Sequence, residues 1–255
     1  MLIALTRAVS DAINQCELTH VMREPIDVAR AHDQHREYEH ALESAGCVVV
    51  RVESAPELPD AVFIEDTAVV IDEIAIVTRP GAESRRAETA AVAQTLAGYR
   101  ELRHISAPGT IDGGDVVICG TRAWVGRSER TNAEGIEQLG RILQPFGYSV
   151  SPVDVSGCLH LKSAAASISP YQILVNPSWI RPDQFAGIQL LEIDPGEPYA
   201  ANVARVGATL IHAAAFPRTR ERLRRQGFTV QAVDVSELAK AEGAVTCCSV
   251  LVRVE

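Results

Sequence analysis

The stretch IAIVTRPGAESRRAE, residues 74–88, runs from an apolar, β-branched segment through a Pro-Gly turn into a charged segment with helical character. The same order of strand, polar turn and helix recurs along the chain, with arginine and serine, threonine or proline just after the strand. This recurrence indicates a degenerate internal repeat of about five units. The other four units read IALTRAVSD (3–11), AWVGRSERTNAEG (123–135), ILVNPSWIRPDQF (173–185) and TLIHAAAFPRTRERL (209–223).

Strands that alternate with helices predict an α/β fold. The units could be arranged radially about an axis, or they could belong to an ordinary open sheet, which the repeat pattern alone slightly favours. No linker or low-complexity segment divides the chain, so residues 1–255 are predicted to form a single domain. The clearest helical segments each end at a glycine, a common helix stop. They are residues 31–46, 83–98, 131–147 and 217–227.

Composition excludes several classes of function. The formal net charge of -9 argues against nonspecific binding to nucleic acid or to anionic membranes. No apolar stretch is long enough to span a membrane, and the N-terminus lacks the features of a signal peptide, which together predict a cytoplasmic protein. The six cysteines include no C-x-x-C pair and are expected to be reduced thiols.

Two adjacent cysteines lie in GAVTCCSVLVRVE, residues 243–255. If both belong to the final strand, their side chains point to opposite faces, so that at most one of Cys247 and Cys248 faces a given pocket. Two buried strand cysteines are the ordinary interpretation of such a pair. The alternative is a nucleophile, which needs a base or a cation to favour its thiolate.

Two further motifs carry candidates for that base. GCLHLKSAAA, residues 157–166, contains His160, and PGTIDGGDVVICG, residues 108–120, contains Asp112 and Asp115 around a Gly-Gly turn. A lone histidine is most often structural, and Asp and Gly are the usual residues of a plain β-turn. The functional hypothesis is that Asp112 orients His160 within a Cys-His-Asp set.

Charged residues interrupt two apolar regions. Glu65 and Asp66 lie within PDAVFIEDTAVVI, residues 59–71, with Asp60 nearby, and burying them is costly unless they meet a cation or several donors. A guanidinium suits paired carboxylates, and a metal ion is the competing hypothesis. Arg85 and Arg130 follow strands at helix starts, where positive charge opposes the helix dipole, so they are candidates for holding a carboxylate.

Seven motifs, in order along the chain, resemble those of the dimethylarginine dimethylaminohydrolases, members of the guanidino-group-modifying enzymes: FIEDTAVV, TRPGAESRR, GTIDGGDV, GRSERTNAEG, LHLKS, YAANV and TCCSVL. The resemblance extends over nearly the whole chain. It implies a five-bladed α/β propeller of ββαβ-type units in place of the open sheet. It also implies an enzyme that requires no cofactor and no metal, although a Cys-His pair can bind zinc adventitiously.

The same resemblance implies a role for each motif residue. Cys247 resembles the nucleophile, His160 the general acid and base, and Asp112 the acid that supports the histidine. Glu242 stands where the family usually has a guanidinium-binding aspartate, and its extra methylene puts the identity of the substrate in question. The remaining substrate-binding positions are Leu18 in a mobile loop, Asp66 at the guanidinium with Asp60 and Glu65 beside it, Phe63 in the pocket wall, and Arg85 and Arg130 at the α-carboxylate.

The predicted activity is hydrolysis of N-ω-methylated arginine to citrulline and methylamine or dimethylamine through a covalent cysteine intermediate. The expected partner is this small-molecule substrate, with a homodimer as a possible assembly. The alternatives are another guanidine hydrolase or deiminase acting on arginine or a related compound, a non-catalytic propeller that binds arginine-like ligands, and a metal hydrolase built on Asp60, Glu65 and Asp66.

Overall fold

The computed structural model describes residues 1–254, which contain five three-stranded sheets. In every sheet, one outer strand pairs antiparallel with the central strand and the other pairs parallel with it. The strand orders are β15-β1-β2, β3-β4-β5, β6-β7-β8, β9-β10-β11 and β12-β13-β14. The strands are β1 (Leu2–Thr6), β2 (Cys47–Arg51), β3 (Ala68–Val70), β4 (Ile74–Val77), β5 (Glu101–His104), β6 (Val116–Cys119), β7 (Arg122–Arg127), β8 (Ser149–Asp154), β9 (Ala165–Ser169), β10 (Gln172–Val175), β11 (Gln189–Glu192), β12 (Val203–Val206), β13 (Thr209–Ala213), β14 (Thr229–Val233) and β15 (Val250–Arg253).

Helices connect the central strand of each sheet to its parallel neighbour. The α-helices are α1 (Val28–Ser44), α2 (Thr89–Leu96), α3 (Ala133–Leu143), α4 (Leu161–Ala164), α5 (Pro217–Arg225) and α6 (Ser236–Ala239). Of these, α4 and α6 link one sheet to the next, and the other four connect strands within a sheet. The 3₁₀ helices are Ile13–Gln15, Ile64–Thr67, Glu83–Glu88, Gly113–Asp115, Gln144–Phe146 and Pro182–Phe185. The repeat predicts a full helix after β10, but only Pro182–Phe185 forms there, because Pro177 and Pro182 disfavour an α-helix in this connection.

The antiparallel outer strands of the five sheets lie side by side around a common axis. Contacts join β6 to β9, β9 to β12 and β15 to β3. All five of these strands contribute residues to one cavity of about 270 Å³. The protein is therefore a five-bladed α/β propeller, and the open sheet favoured by the repeat pattern alone is wrong.

The first blade is completed by both ends of the described chain. The antiparallel register of β1 and β15 runs from Leu2 opposite Arg253 to Leu5 opposite Val250. This pairing brings the segment just before β15 to the axis of the propeller, beside the 3₁₀ helix Ile64–Thr67, where Glu65 N donates to Cys247 O at 3.1 Å.

The longest helix, α1, packs one apolar face against the core of the first blade. In α1 the buried residues include Ala31, Tyr38 and Leu42, which recur at helical spacing, and Asp27 caps the N-terminus by accepting from Arg30 N. Gly46 follows the helix with a positive φ of 100°, which glycine adopts without strain. Within residues 1–254, no helix has the length and apolar character needed to cross a membrane.

Candidate active site

A narrow cleft opens at one end of the propeller axis, where residues far apart in sequence meet. Nine of the eleven residues singled out from the sequence line it: Asp60, Phe63, Asp66, Arg85, Asp112, Arg130, His160, Glu242 and Cys247. Glu17, Leu159, Ala241 and Gly243 complete the lining. Leu18 and Glu65 do not line the cleft but lie beside it.

The contact predicted between Asp112 and His160 is present. His160 Nε2 lies 3.1 Å from Asp112 Oδ2, while Nδ1 lies 3.7 Å from Asp66 Oδ1, and all three side chains are buried. Burial alone would lower the pKa of His160, but the negative charge of Asp66, the hydrogen bond to Asp112 and the nearby Asp115 raise it to about 9. His160 is therefore an imidazolium at neutral pH, ready to donate a proton.

The Gly-Gly pair of the IDGGD motif is needed because side chains approach it closely. A Cβ at Gly114 would lie 2.6 Å from His160 Nδ1 and 2.8 Å from Asp66 Oδ1, and Gly114 N donates to that same oxygen at 2.9 Å. A Cβ at Gly113 would clash with Glu65 O. These glycines thus allow two acids and a histidine to gather at one point.

Cys247 and Cys248 lie in a turn, because β15 begins only at Val250, so the strand alternation expected from the sequence does not apply to them. The side chains nevertheless separate: Cys247 is partly buried and lines the cleft, whereas Cys248 is fully buried in the core between α1 and the neighbouring blade. Burial, together with the negative charges of Glu65 and Asp66, raises the pKa of Cys247 to about 12. In the empty cleft Cys247 is a thiol.

A hydrogen-bond network behind the cleft fixes the backbone beside Cys247. Asn202 Oδ1 accepts from Thr246 N at 3.0 Å, and Asn202 Nδ2 donates to Thr246 Oγ1 at 2.9 Å. Thr246 Oγ1 donates to Glu65 Oε2 at 2.7 Å, and Glu65 Oε1 accepts from Lys162 Nζ at 2.6 Å. Glu65 thus positions the turn that carries Cys247. Sequence reasoning missed Asn202, although it lies in the YAANV motif.

Arg85 lies in a buried ion-pair cluster. Its Nη1 donates to Asp66 Oδ2, and its Nε and Nη2 donate to Glu88 at 3.1 and 2.8 Å. Nη2 also donates to the carbonyl oxygens of Phe63 and Asp60. Burial alone would lower the pKa of Arg85, but Glu88 and Asp66 raise it well above its usual value. Of the five N–H groups of the Arg85 guanidinium, only one, on Nη1, has no partner among residues 1–254.

We expect Arg85→Ala to lower the free energy of unfolding by about 3–5 kcal/mol, because it leaves the buried carboxylates of Asp66 and Glu88 without their cation. Arg86→Ala is the matched control, since Arg86 pairs with the exposed Glu83 and should cost at most about 1 kcal/mol. Urea unfolding of both variants measures the difference. Equal, small losses would contradict the cluster's structural role.

Arg130 differs from Arg85 in having no carboxylate within 4 Å in residues 1–254. Its Nη2 donates to Thr19 Oγ1 at 3.2 Å, and its side chain is half-exposed at the rim of the cleft. Its guanidinium therefore retains most of its donors for an incoming anion.

The segment around Leu18 covers the cleft. Leu18 itself packs against the apolar core, and its neighbours contact the cleft residues: Glu17 N donates to Asp60 Oδ2 at 3.1 Å, and both oxygens of Glu242 accept from backbone N–H groups of residues 19–21. Glu242 lines the cleft as predicted from the sequence, but in this structure its carboxylate is directed toward the covering segment.

One cluster could also offer ligands to a metal ion. Single ligand atoms of Asp66, Asp112 and His160 lie within 4.8 Å of one another, whereas Asp60 and Glu65 belong to no such group among the described residues. Both nitrogens of His160 already face carboxylates, so hydrogen bonds and ion pairs account for this arrangement.

The chain was compared with known proteins. Residues 4–186 match the family model described as N,N dimethylarginine dimethylhydrolase, eukaryotic. The N(G),N(G)-dimethylarginine dimethylaminohydrolase of Streptomyces coelicolor is 40% identical over 98% of this chain and 96% of its own length, and that of Pseudomonas aeruginosa is 38% identical over 88% and 89%. The solved structure of a cysteine-to-serine mutant of the P. aeruginosa enzyme, complexed with citrulline, superposes with a TM-score of 0.91 at 35% identity, covering 97% of this chain and 98% of that one. This chain belongs to the dimethylarginine dimethylaminohydrolase family.

Proposed function

We propose that this protein hydrolyses N-ω-methylated arginines to citrulline and methylamine or dimethylamine through a covalent bond to Cys247. The observation that carries the proposal is the cleft itself, which gathers a thiol, an imidazolium supported by a carboxylate, and a further buried carboxylate. Family membership supports the same reaction.

The charges along the cleft suit a substrate that has an α-carboxylate at one end and a cationic guanidinium at the other. Arg130 at the rim takes the α-carboxylate, and the one N–H of Arg85 that has no protein partner adds a second donor. Asp66 attracts the guanidinium, with Asp60 adding negative charge, while Phe63 forms an apolar wall for the side chain.

Substrate binding changes the protonation of the nucleophile. A pKa of about 12 leaves Cys247 almost entirely protonated at neutral pH, chiefly because it is buried beside Glu65 and Asp66. A bound guanidinium places positive charge next to the sulfur and lowers that pKa, so the proton leaves to solvent when the substrate binds. The substrate thereby helps to generate the thiolate that attacks it.

The thiolate forms a C–S bond to the central carbon of the guanidinium, giving a tetrahedral adduct. His160 donates its proton to the nitrogen that carries the methyl groups, and the C–N bond breaks with its electron pair leaving on the amine. The neutral imidazole then takes a proton from water, whose oxygen bonds to the same carbon. As the C–S bond breaks with its electron pair returning to sulfur, the added hydroxyl group loses its remaining proton to solvent, so that citrulline is released and the thiolate is restored.

Activity should be tested by measuring citrulline formation from arginine, monomethylarginine and asymmetric dimethylarginine with the same enzyme preparation. We expect both methylated substrates to react, with kcat/KM for arginine lower by about tenfold or more because arginine lacks the methyl groups whose burial favours the methylated substrates. Arg130→Ala should raise KM for the methylated substrates more than it lowers kcat. Arginine as the preferred substrate would favour the deiminase alternative instead.

A metal-dependent hydrolase is the second candidate, because Asp66, Asp112 and His160 bring ligand atoms together. Citrulline formation that stops on exhaustive chelation and returns with added metal would favour it. Activity that survives chelation supports the cysteine mechanism. The homodimer and the cytoplasmic location predicted from the sequence remain predictions, and light scattering of the purified protein tests the first.

A further inference from the structure

Residues 17–21, called the lid below, are the tip of a loop whose base is fixed by its own hydrogen bonds. Asn14 Nδ2 donates to Ile26 O at 3.1 Å, and Asn14 Oδ1 accepts from Ile26 N at 2.8 Å. Arg23 donates to the carbonyl oxygens of Asn14 and Cys16 at 2.5 and 2.6 Å. The base therefore keeps its shape whether or not the lid contacts the cleft.

The tip of the lid, in contrast, is held by six hydrogen bonds to the walls of the cleft, and one side chain accepts three of them. Glu242 Oε2 accepts from Thr19 N at 2.8 Å, and Glu242 Oε1 accepts from His20 N at 2.5 Å and from Val21 N at 3.0 Å. Each of the other contacts is one hydrogen bond: Glu17 N donates to Asp60, Ser84 Oγ donates to Glu17, and Arg130 donates to Thr19 Oγ1.

The backbone of Glu242 supports a specific role for its side chain. Its φ of 58° is the only positive φ of a non-glycine residue in the part of the chain that the structure describes. It follows α6 at a position where helices usually carry glycine. A glutamate kept at a position where its backbone is strained implies that its carboxylate is needed where it lies.

The lid must move for substrate to enter. With the lid in place, the cleft holds a cavity of about 20 Å³, which is close to the space that one water molecule requires. A methylated arginine has more than ten heavy atoms and does not fit. The bonds from residues 19–21 to Glu242 must therefore break for substrate to enter, and the cleft beneath the lid must widen for them to form again over the bound substrate.

We propose that Glu242 is a positioning residue that holds the lid closed over the substrate by accepting hydrogen bonds from three consecutive backbone N–H groups. This role differs from binding the guanidinium. Its effect on catalysis rests on the proposed function. Asp66 is then the carboxylate left to attract the guanidinium.

Hydrogen exchange of the free enzyme tests this proposal without any substrate. In Glu242→Gly, which relieves the positive φ, we expect the amides of residues 19–21 to exchange about tenfold faster or more than in the wild type, since all three lose their acceptor. In Glu242→Gln we expect a smaller increase, since glutamine keeps one acceptor oxygen and replaces the other with an NH2 group. Amides of β7 should be unchanged. Unchanged exchange at residues 19–21 in both variants would overturn the proposal.

Glu197→Gln is the matched control. Glu197 also accepts two consecutive backbone N–H groups, from Arg218 and Thr219, at the start of α5 and away from the cleft. Its replacement should speed exchange at whichever of those two amides faces the new NH2 group and leave residues 19–21 as in the wild type.

Kinetics with monomethylarginine provide the second readout. A residue that closes the lid should, when replaced by glutamine, raise KM about tenfold or more while kcat stays within about threefold, because the reacting groups are untouched. A fall in kcat of about a hundredfold or more with unchanged KM and unchanged lid exchange would instead assign Glu242 to the guanidinium. If the wild type forms no citrulline, the proposed function fails, whereas the exchange result still decides how the lid is held.

Discussion

Cys247→Ser is expected to lower citrulline formation by a factor of about ten thousand or more, because a serine hydroxyl cannot supply the thiolate that attacks the guanidinium carbon. Cys248→Ser should retain most of the activity, since that side chain lies in the apolar core and does not line the cleft. Its cost is in stability, as a hydroxyl replaces a buried thiol. Citrulline produced from monomethylarginine under saturating substrate measures both effects.

The two cysteine variants control for each other because they alter adjacent residues in the same turn. Their free energies of unfolding, measured by urea titration, separate loss of folded protein from loss of chemistry. Equal losses of activity in correctly folded Cys247→Ser and Cys248→Ser would show that the two side chains have been assigned to the wrong environments.

His160→Gln is expected to reduce kcat for asymmetric dimethylarginine by about a thousandfold or more, because glutamine keeps a hydrogen bond to Asp112 but cannot donate a proton to the departing amine. S-methyl-L-thiocitrulline tests this explanation, since methanethiolate is a weak base and leaves without protonation. Its first step, followed as methanethiol release, should be reduced far less. A stopped-flow thiol assay and a dimethylamine assay give the two rates.

His212→Gln is the control for replacing a buried histidine as such. His212 is fully buried, and its Nε2 contacts Ala200 O at 2.9 Å, outside the cleft. This variant should keep its activity toward both substrates. Losses of the same size for dimethylarginine and S-methyl-L-thiocitrulline in His160→Gln would mean that His160 holds the site together rather than protonating the leaving group.

The repeat in residues 74–88 and its four relatives predicted the central strand of each blade and the helix that follows it in four of the five, because local periodicity and turn residues depend on nearby sequence. It did not distinguish a ring from an open sheet. That choice depends on long-range contacts such as the pairing of Leu2 with Arg253, which closes the first blade and leaves no local signal. Only the resemblance to a known family pointed to the propeller.

The candidate site was predictable where charged residues interrupt an apolar segment, because burying a charge without a partner is unfavourable. Glu65, Asp66 and the acids of IDGGD interrupt apolar segments, and the structure gives Glu65 and Asp66 each a cation and one further hydrogen-bond donor. Partners could not be read from spacing: Asn202 and Thr246 are separated by 44 residues, and Thr19 and Glu242 by 223. For this reason the network behind Cys247 and the acceptor for the lid became visible only in three dimensions.

Trapping the covalent intermediate is the most direct test of the mechanism. His160→Gln incubated with S-methyl-L-thiocitrulline should accumulate an adduct, because the thiol leaves readily while the glutamine cannot activate water. Fragment-ion mass spectrometry of the peptide spanning both adjacent cysteines should place the added mass, equal to the substrate less methanethiol, on Cys247, and the double variant with Cys247→Ser should show none. Added mass on Cys248, or methanethiol release in the absence of any protein adduct, would contradict the account.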